Sequence, residues 1–275
     1  MRKSVIIKKT ATSCKKTEGY LWWTRQLLKT NARSALSGRY WRGFWVCLLV
    51  SLASGGAFTI KNNVDTVKNN VDTVRGGYDY SFMYGMPDET LALILGIALL
   101  VFVLSCVWQI FVLGPLNVGL ARYFMESRQA LAPFGTVMGI FRTPYLNVVK
   151  VSFLTQLKIA LGCLLVIPGI YWSYCYTLVP FLLAENPYMT TRRAMELSKA
   201  IMEGEKWNYF VLMLSFIGWY LLCGVTMGIG TFFLAPYINA TQAEFYAAMR
   251  SKAFALGLSN AQELGGFVTH GDVVL

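Results

Sequence analysis

The residues of this chain that could do chemistry are few, and they lie inside or at the ends of long apolar runs: Lys158, Glu185, Asn239 and Glu244. Lys158 falls near the middle of a run over 146–166, where in a bilayer a charge costs ~2.5 to 3.5 kcal/mol or more. It has to face the bundle interior, give up its proton or pair. Asn147, Val151, Thr155, Lys158 and Gly162 recur at helical spacing and form a polar stripe between apolar flanks. Glu185, at the end of the next run, and Glu244, on the last one beside Asn239 and Gln242, are its candidate partners. Such a set could pass a proton, an ion or an anion. The plainer alternatives are interhelical hydrogen bonding, or a lysine snorkelling to the membrane edge.

The sequence offers no second constellation. It has no Gly-rich phosphate loop, no Ser-His or Cys-His arrangement, no His-Glu-x-x-His and no paired acidic residues within a run. The lone histidine, His270, sits in a polar tail, and the six cysteines show neither metal-ligand spacing nor a disulfide framework. No catalytic residue, metal or cofactor is implied. Glu196, Glu203 and Glu205 alternate with Arg192, Arg193 and Lys199, which reads as a solvated helix face.

The elements that must carry these residues are membrane helices. At 55% hydrophobic and 14% charged, the chain is too apolar for an ordinary globular domain. Its net charge of +11 could suggest nucleic acid, but the basic residues flank apolar runs rather than forming a folded basic surface, which argues for the lipid bilayer instead. Six runs suffice for spans, since roughly 20 helical residues cover ~30 Å: 43–60, 91–124, 146–166, 170–184, 209–225 and 229–248. The second half of each hairpin carries a Leu-x-Pro step, ending at Pro115, Pro180 and Pro236. Membrane helices accept such kinks when neighbours re-satisfy the freed carbonyl, and broken helices at repeat interfaces can mark binding sites. Ile167-Pro168-Gly169 reads as a tight reversal.

Lysine and arginine concentrate before the first span and in alternate connections, which puts both termini on the cytoplasmic side of a bacterial plasma membrane. Residues 1–38 then form a basic leader with an amphipathic helix, 39–250 the membrane domain with an external loop at 61–90 and a cytoplasmic helix at 190–204, and 251–275 a flexible tail. Within the loop, Lys61-Asn-Asn-Val-Asp-Thr-Val67 is duplicated at 68–74. Two heptads are too few for a secure coiled coil, so the duplication reads as lengthening the loop, with a partner-binding helix as the alternative. Gly38-x-x-Trp41-x-x-Phe44 and Gly204-x-x-Trp207-x-x-Phe210 precede spans one and five, each after an amphipathic stretch, the second capped by Thr190. With a vestige at Arg142-Thr143-Pro144-Tyr145, the pattern suggests three related hairpins, each with a Leu-x-Pro step at similar depth.

From residue 167 to 246 the chain reads Ile-Pro-Gly-Ile, Tyr174-x-Tyr176-x-x-x-Pro180, Ala184-Glu185-Asn186-Pro187, Ala194-x-x-x-Ser198-Lys199, Met202-x-Gly204-x-Lys206-Trp207, Leu214-Ser215-Phe216-Ile217-Gly218-Trp219 and Pro236-Tyr237. This string resembles the bacterial integral membrane proteins catalogued as Domain of Unknown Function 975, and the pattern around Ala35, Leu36, Gly38, Tyr40, Trp41 and Phe44 resembles them too. The resemblance implies a polytopic all-α membrane protein and supplies no catalytic residue, because that family has no established activity. The expectation is a non-enzymatic accessory or scaffolding component that binds lipid or other membrane proteins. The alternative is a small-solute or ion transporter or channel using the Lys158 region.

Overall fold

The computed structural model describes residues 23–55, 88–142, 144–226 and 228–265. The duplicated loop segment, the first part of the leader and His270 lie outside the described residues. Every element among the described residues is helical: α1 (Arg25–Leu36), α2 (Tyr40–Ala53), α3 (Asp88–Trp108), a π segment (Gln109–Leu113), α4 (Gly114–Ser127), α5 (Gly135–Gly139), α6 (Tyr145–Cys163), α7 (Ile167–Cys175), α8 (Val179–Glu185), α9 (Thr191–Ile201), α10 (Lys206–Leu214), α11 (Ile217–Val225) and α12 (Gly230–Ala255).

Among the described residues, four helical stretches are long and apolar enough to cross a membrane: Glu89–Ser127, Tyr145–Cys163, Ile167–Glu185 and Lys206–Val225. The first is largely bare in its apolar half, where Leu93, Leu99 and Phe102 are each 64% exposed. A water-soluble chain rarely leaves so large a contiguous apolar surface bare. The remaining two expected spans take other forms. α2 has only 14 residues, and α12, though 26 residues long, is interrupted by Asn239, Thr241, Gln242 and Glu244.

The reversal after α6 falls earlier than Ile-Pro-Gly. The chain turns at Leu164 to Val166, where Val166 holds φ 52°, and Pro168 sits in the first turn of α7, where its missing N–H costs nothing. Gly169 is then wanted for closeness: a Cβ there would come 2.5 Å from Cys163 Cα. Of the expected tail, residues 266–275 lie outside the described residues. α12 runs on to Ala255, and the turns after it dock on the bundle as far as Leu264, which is fully buried.

The three prolines do not share one geometry. Pro115 follows the π segment at the start of α4, Pro180 opens α8 after a break at Tyr176 to Leu178, and Pro236 lies inside a continuous α12. Two of them are served across the bundle. The carbonyl of Phe111, which loses its helical donor to Pro115, accepts a hydrogen bond from Tyr145 Oη at 2.5 Å. The carbonyl of Phe233, in the turn before Pro236, accepts one from Tyr40 Oη at 2.7 Å. Each tyrosine opens its own helix and secures a different hairpin.

The segments around the two Gly-x-x-Trp motifs match in detail. Thr24 accepts a hydrogen bond from Leu27 N as Thr190 does from Arg193 N. The interval from Thr24 to Gly38 equals that from Thr190 to Gly204, and both glycines are left-handed, with φ 73° and 79°. In the same register Trp23, Leu28, Ala32 and Leu36 are buried like Met189, Ala194, Ser198 and Met202. α1 packs along α12, and α9 packs against α6, α8 and α12.

Replacing Tyr40 or Tyr145 by Phe is expected to lower the melting temperature of the detergent-solubilised protein, each by a loss of about 1 kcal/mol. Tyr188→Phe is the control, since the exposed Tyr188 engages Asn186 through its backbone N–H alone.

Candidate functional site

Of the polar stripe on α6, only Thr155 reaches an open cleft of about 240 Å³ against α4 and the α7–α8 break, while Asn147 donates to Pro187 O and Met189 O and Val151 is fully buried. Ser152, Thr155 and Gln156 come from α6, Gly114 and Asn117 from α4, and Tyr176, Thr177 and Pro180 from the break. Two helix irregularities face each other here: the π segment before Pro115, and the interrupted turn before Pro180. π-Bulges and broken helices both recur at functional sites, because they turn backbone and side chains away from the regular ladder. Thr155 is buried and donates to Val151 O at 2.8 Å. The amides of Asn117 and Gln156 are exposed and make no hydrogen bond among the described residues, so they offer both donors and acceptors to a small polar occupant.

Lys158 sits half-buried beside this cleft, with Nζ 5.1 Å from the ring centre of Tyr176 and 5.7 Å from that of Trp172. Ring faces, rather than a carboxylate, accommodate its charge. The carboxylates expected to join it are held elsewhere. Glu185 Oε1 accepts from Arg250 Nε at 2.8 Å and its Oε2 from Tyr246 Oη at 2.5 Å. Glu244 takes a bidentate pair from Arg128 at 2.6 and 3.1 Å. Asn239 donates to Ala235 O at 2.9 Å and lies 3.7 Å from Cys47 Sγ. The four residues named from the sequence therefore do not form one site. Pro180 lines the cleft and Pro115 adjoins it through Gly114, while Pro236 serves the α12 turn under Tyr40.

The arrangement that sequence reasoning missed is a layer of ion pairs anchored on α12 and the turns after it. Lys252 Nζ donates to Ile201 O at 3.1 Å and Glu203 O at 2.8 Å, closing the C-terminal end of α9, and lies 3.5 Å from Glu205 Oε1. Glu205, expected on a solvated face, is buried, and its Oε2 accepts from Trp23 Nε1 at 3.2 Å. Arg193 holds Glu263 through two bonds of 2.7 and 2.8 Å, and Asn186 donates to Glu263 O. Partners lie 65 residues apart for Glu185 and Arg250, and 116 for Arg128 and Glu244. No local spacing could have signalled them.

Among the described residues no group of three or more His, Cys, Asp or Glu side chains could hold a metal ion. The model of the family described as Protein of unknown function (DUF975) matches residues 23–253. The chain belongs to this family. The DUF975 match opens on Trp23 and closes one residue after Lys252, so it encloses both ends of the Trp23–Glu205–Lys252 network. It leaves out the Glu263 clasp. No curated protein and no solved structure matches the chain.

Arg250→Ala strands the Glu185 carboxylate, whose side chain is fully buried, and is expected to destabilise this DUF975 protein by about 3 to 5 kcal/mol in thermal unfolding. Adding Glu185→Gln should restore part of that loss. The Glu263 carboxyl is held below the usual range, chiefly by the hydrogen bonds from Arg193 and against the opposing effect of burial. A carboxyl depressed on folding stabilises above its unfolded-state value, and that contribution is lost as pH falls through the folded value. Hydrogen-exchange protection factors over residues 256–265, taken relative to the intrinsic rate at each pH, should therefore hold until the pH drops below the ordinary 4.5, then fall. Glu263→Gln should abolish that acid step.

Proposed function

We propose that this protein is a non-enzymatic accessory or scaffolding component of the bacterial plasma membrane, crossing it several times with both termini on the cytoplasmic side. The observation that carries this reading is the ion-pair layer. Glu185, Glu205 and Glu244 are buried, each is engaged by a cation, and each tie joins sequence-distant elements rather than facing an open site. Groups held this way are poor general acids or bases, because their partners fix both charge and position. They suit a rigid frame. The matched capping, glycine and burial patterns of 23–38 and 189–204 support a build from related hairpins, each opened by an amphipathic helix.

A second reading rests on the cleft. A polar recess between two interrupted helices, with a cation at its rim, has the composition expected of a binding site for a small polar or anionic solute. The two readings separate on one residue. In the first, Lys158→Ala leaves growth, membrane insertion and solute flux into reconstituted vesicles at wild-type levels. Flux that is present in the wild-type protein and lost in Lys158→Ala would overturn the scaffold reading in favour of transport.

A further inference from the structure

α1 carries a second feature that neither the ion-pair layer nor the cleft uses. Arg25, Lys29 and Arg33 recur at four-residue spacing and form one stripe along the helix. None of them pairs with a carboxylate among the described residues. Glu205, which reaches Trp23 just before α1, is taken up by Trp23 and Lys252. Like charges one turn apart repel, and Lys29 is held below its usual range first by burial and then by the charge of Arg25. With Lys29 half-buried between the exposed Arg25 and Arg33, the stripe is short of negative charge among the described residues.

The stripe faces a groove between α1 and the broken α10–α11 helix. At the break, Lys29 Nζ lies 3.5 Å from Ser215 O and 4.5 Å from the ring centre of Phe216. On one side of Lys29 the groove opens into a cavity of about 710 Å³ that Arg25, Trp207, Asn208 and Ser215 line. On the other side lies a cavity of about 370 Å³, walled by Trp219, Leu222, Phe233 and Tyr237, with Arg33 at its edge. A pocket edged by Arg25 and Lys29 and a smaller apolar one edged by Arg33 therefore open along the same helix face. That polarity matches one molecule with a charged head and an apolar chain. Trp207, at the entry to the Lys206–Val225 span, is exposed beside the groove, as tryptophans at a membrane interface commonly are.

We propose that the groove between α1 and α10–α11 binds an anionic phospholipid, its phosphate on the Arg25–Lys29–Arg33 stripe and an acyl chain in the apolar cavity. Guanidinium and ammonium groups bind phosphate by charge-assisted hydrogen bonds, and the lipid's negative charge relieves the repulsion along the stripe. A zwitterionic lipid brings a cation with its phosphate and does not. A free phosphate leaves the apolar cavity unfilled. The site stands apart from the scaffold and transport readings, but it rests on the chain residing in a bilayer.

The test is native mass spectrometry of the full chain in detergent, offered phosphatidylglycerol or phosphatidylcholine of identical acyl chains. Wild-type protein should retain phosphatidylglycerol at least about tenfold better, given that each basic residue near an anionic membrane surface contributes ~1 kcal/mol. Arg25→Gln/Lys29→Gln/Arg33→Gln should abolish the preference while leaving the melting temperature near wild type. If that variant fails to fold, Arg33→Glu alone, at an exposed position, should still cut it several-fold. Equal retention of the two lipids, or a preference that survives both variants, overturns the proposal. Displacement of phosphatidylglycerol by millimolar inorganic phosphate would assign the stripe to a free anion and overturn the lipid. Alkaline carbonate extraction of cell membranes reports bilayer residence separately: a chain released by carbonate would overturn the membrane reading itself, whatever the lipid result.

Discussion

A chain this apolar has little water at hand for the charges and interrupted backbone bonds it buries, so each must find its partner inside the fold. That constraint shapes the structure more than any single contact. α12 meets most of it. Glu244 on this helix takes Arg128, Arg250 takes Glu185, and Lys252 takes Glu205 together with the last carbonyls of α9. Breaking any of these strands a charge in low dielectric, which costs far more than an exposed pair would. Segments distant in sequence are thereby fixed to one helix.

The same constraint governs the prolines. Each removes a backbone donor, and the fold answers in three ways: a π segment with a tyrosine hydroxyl before Pro115, a helix break before Pro180, and a hydroxyl from Tyr40 on the turn before Pro236. The first two interruptions lie on either side of the polar cleft. Two of the helix interruptions and several polar side chains are thus brought together in one recess.

Much of the architecture was legible from residue pattern alone. The apolar runs fix helices of membrane-spanning length at Glu89–Ser127, Tyr145–Cys163, Ile167–Glu185 and Lys206–Val225, because length and hydropathy are local properties. Thr190 as a cap and Gly204 as a left-handed glycine are also local, and both are present. Less legible were α2, which turns after Ala53, and the docked turns after α12. Leu264 and Glu263 look like tail residues until Arg193 and Arg250 are seen to reach them.

The sequence by itself determined that the described residues are helical, with several apolar helices of membrane-spanning length, that a polar stripe runs down α6, and that the chain belongs with proteins of unknown function. It also singled out Lys158, Glu185, Asn239 and Glu244 as the polar groups with the most to resolve. Only the tertiary structure decided with whom they resolve it. Lys158 lies over aromatic rings, while the two carboxylates go to arginines that a linear reading left among loop and tail charges. The physical reason is range. Helix formation and hydropathy act over a few residues, whereas a buried charge pairs with whichever opposite charge the packing brings within about 3 Å.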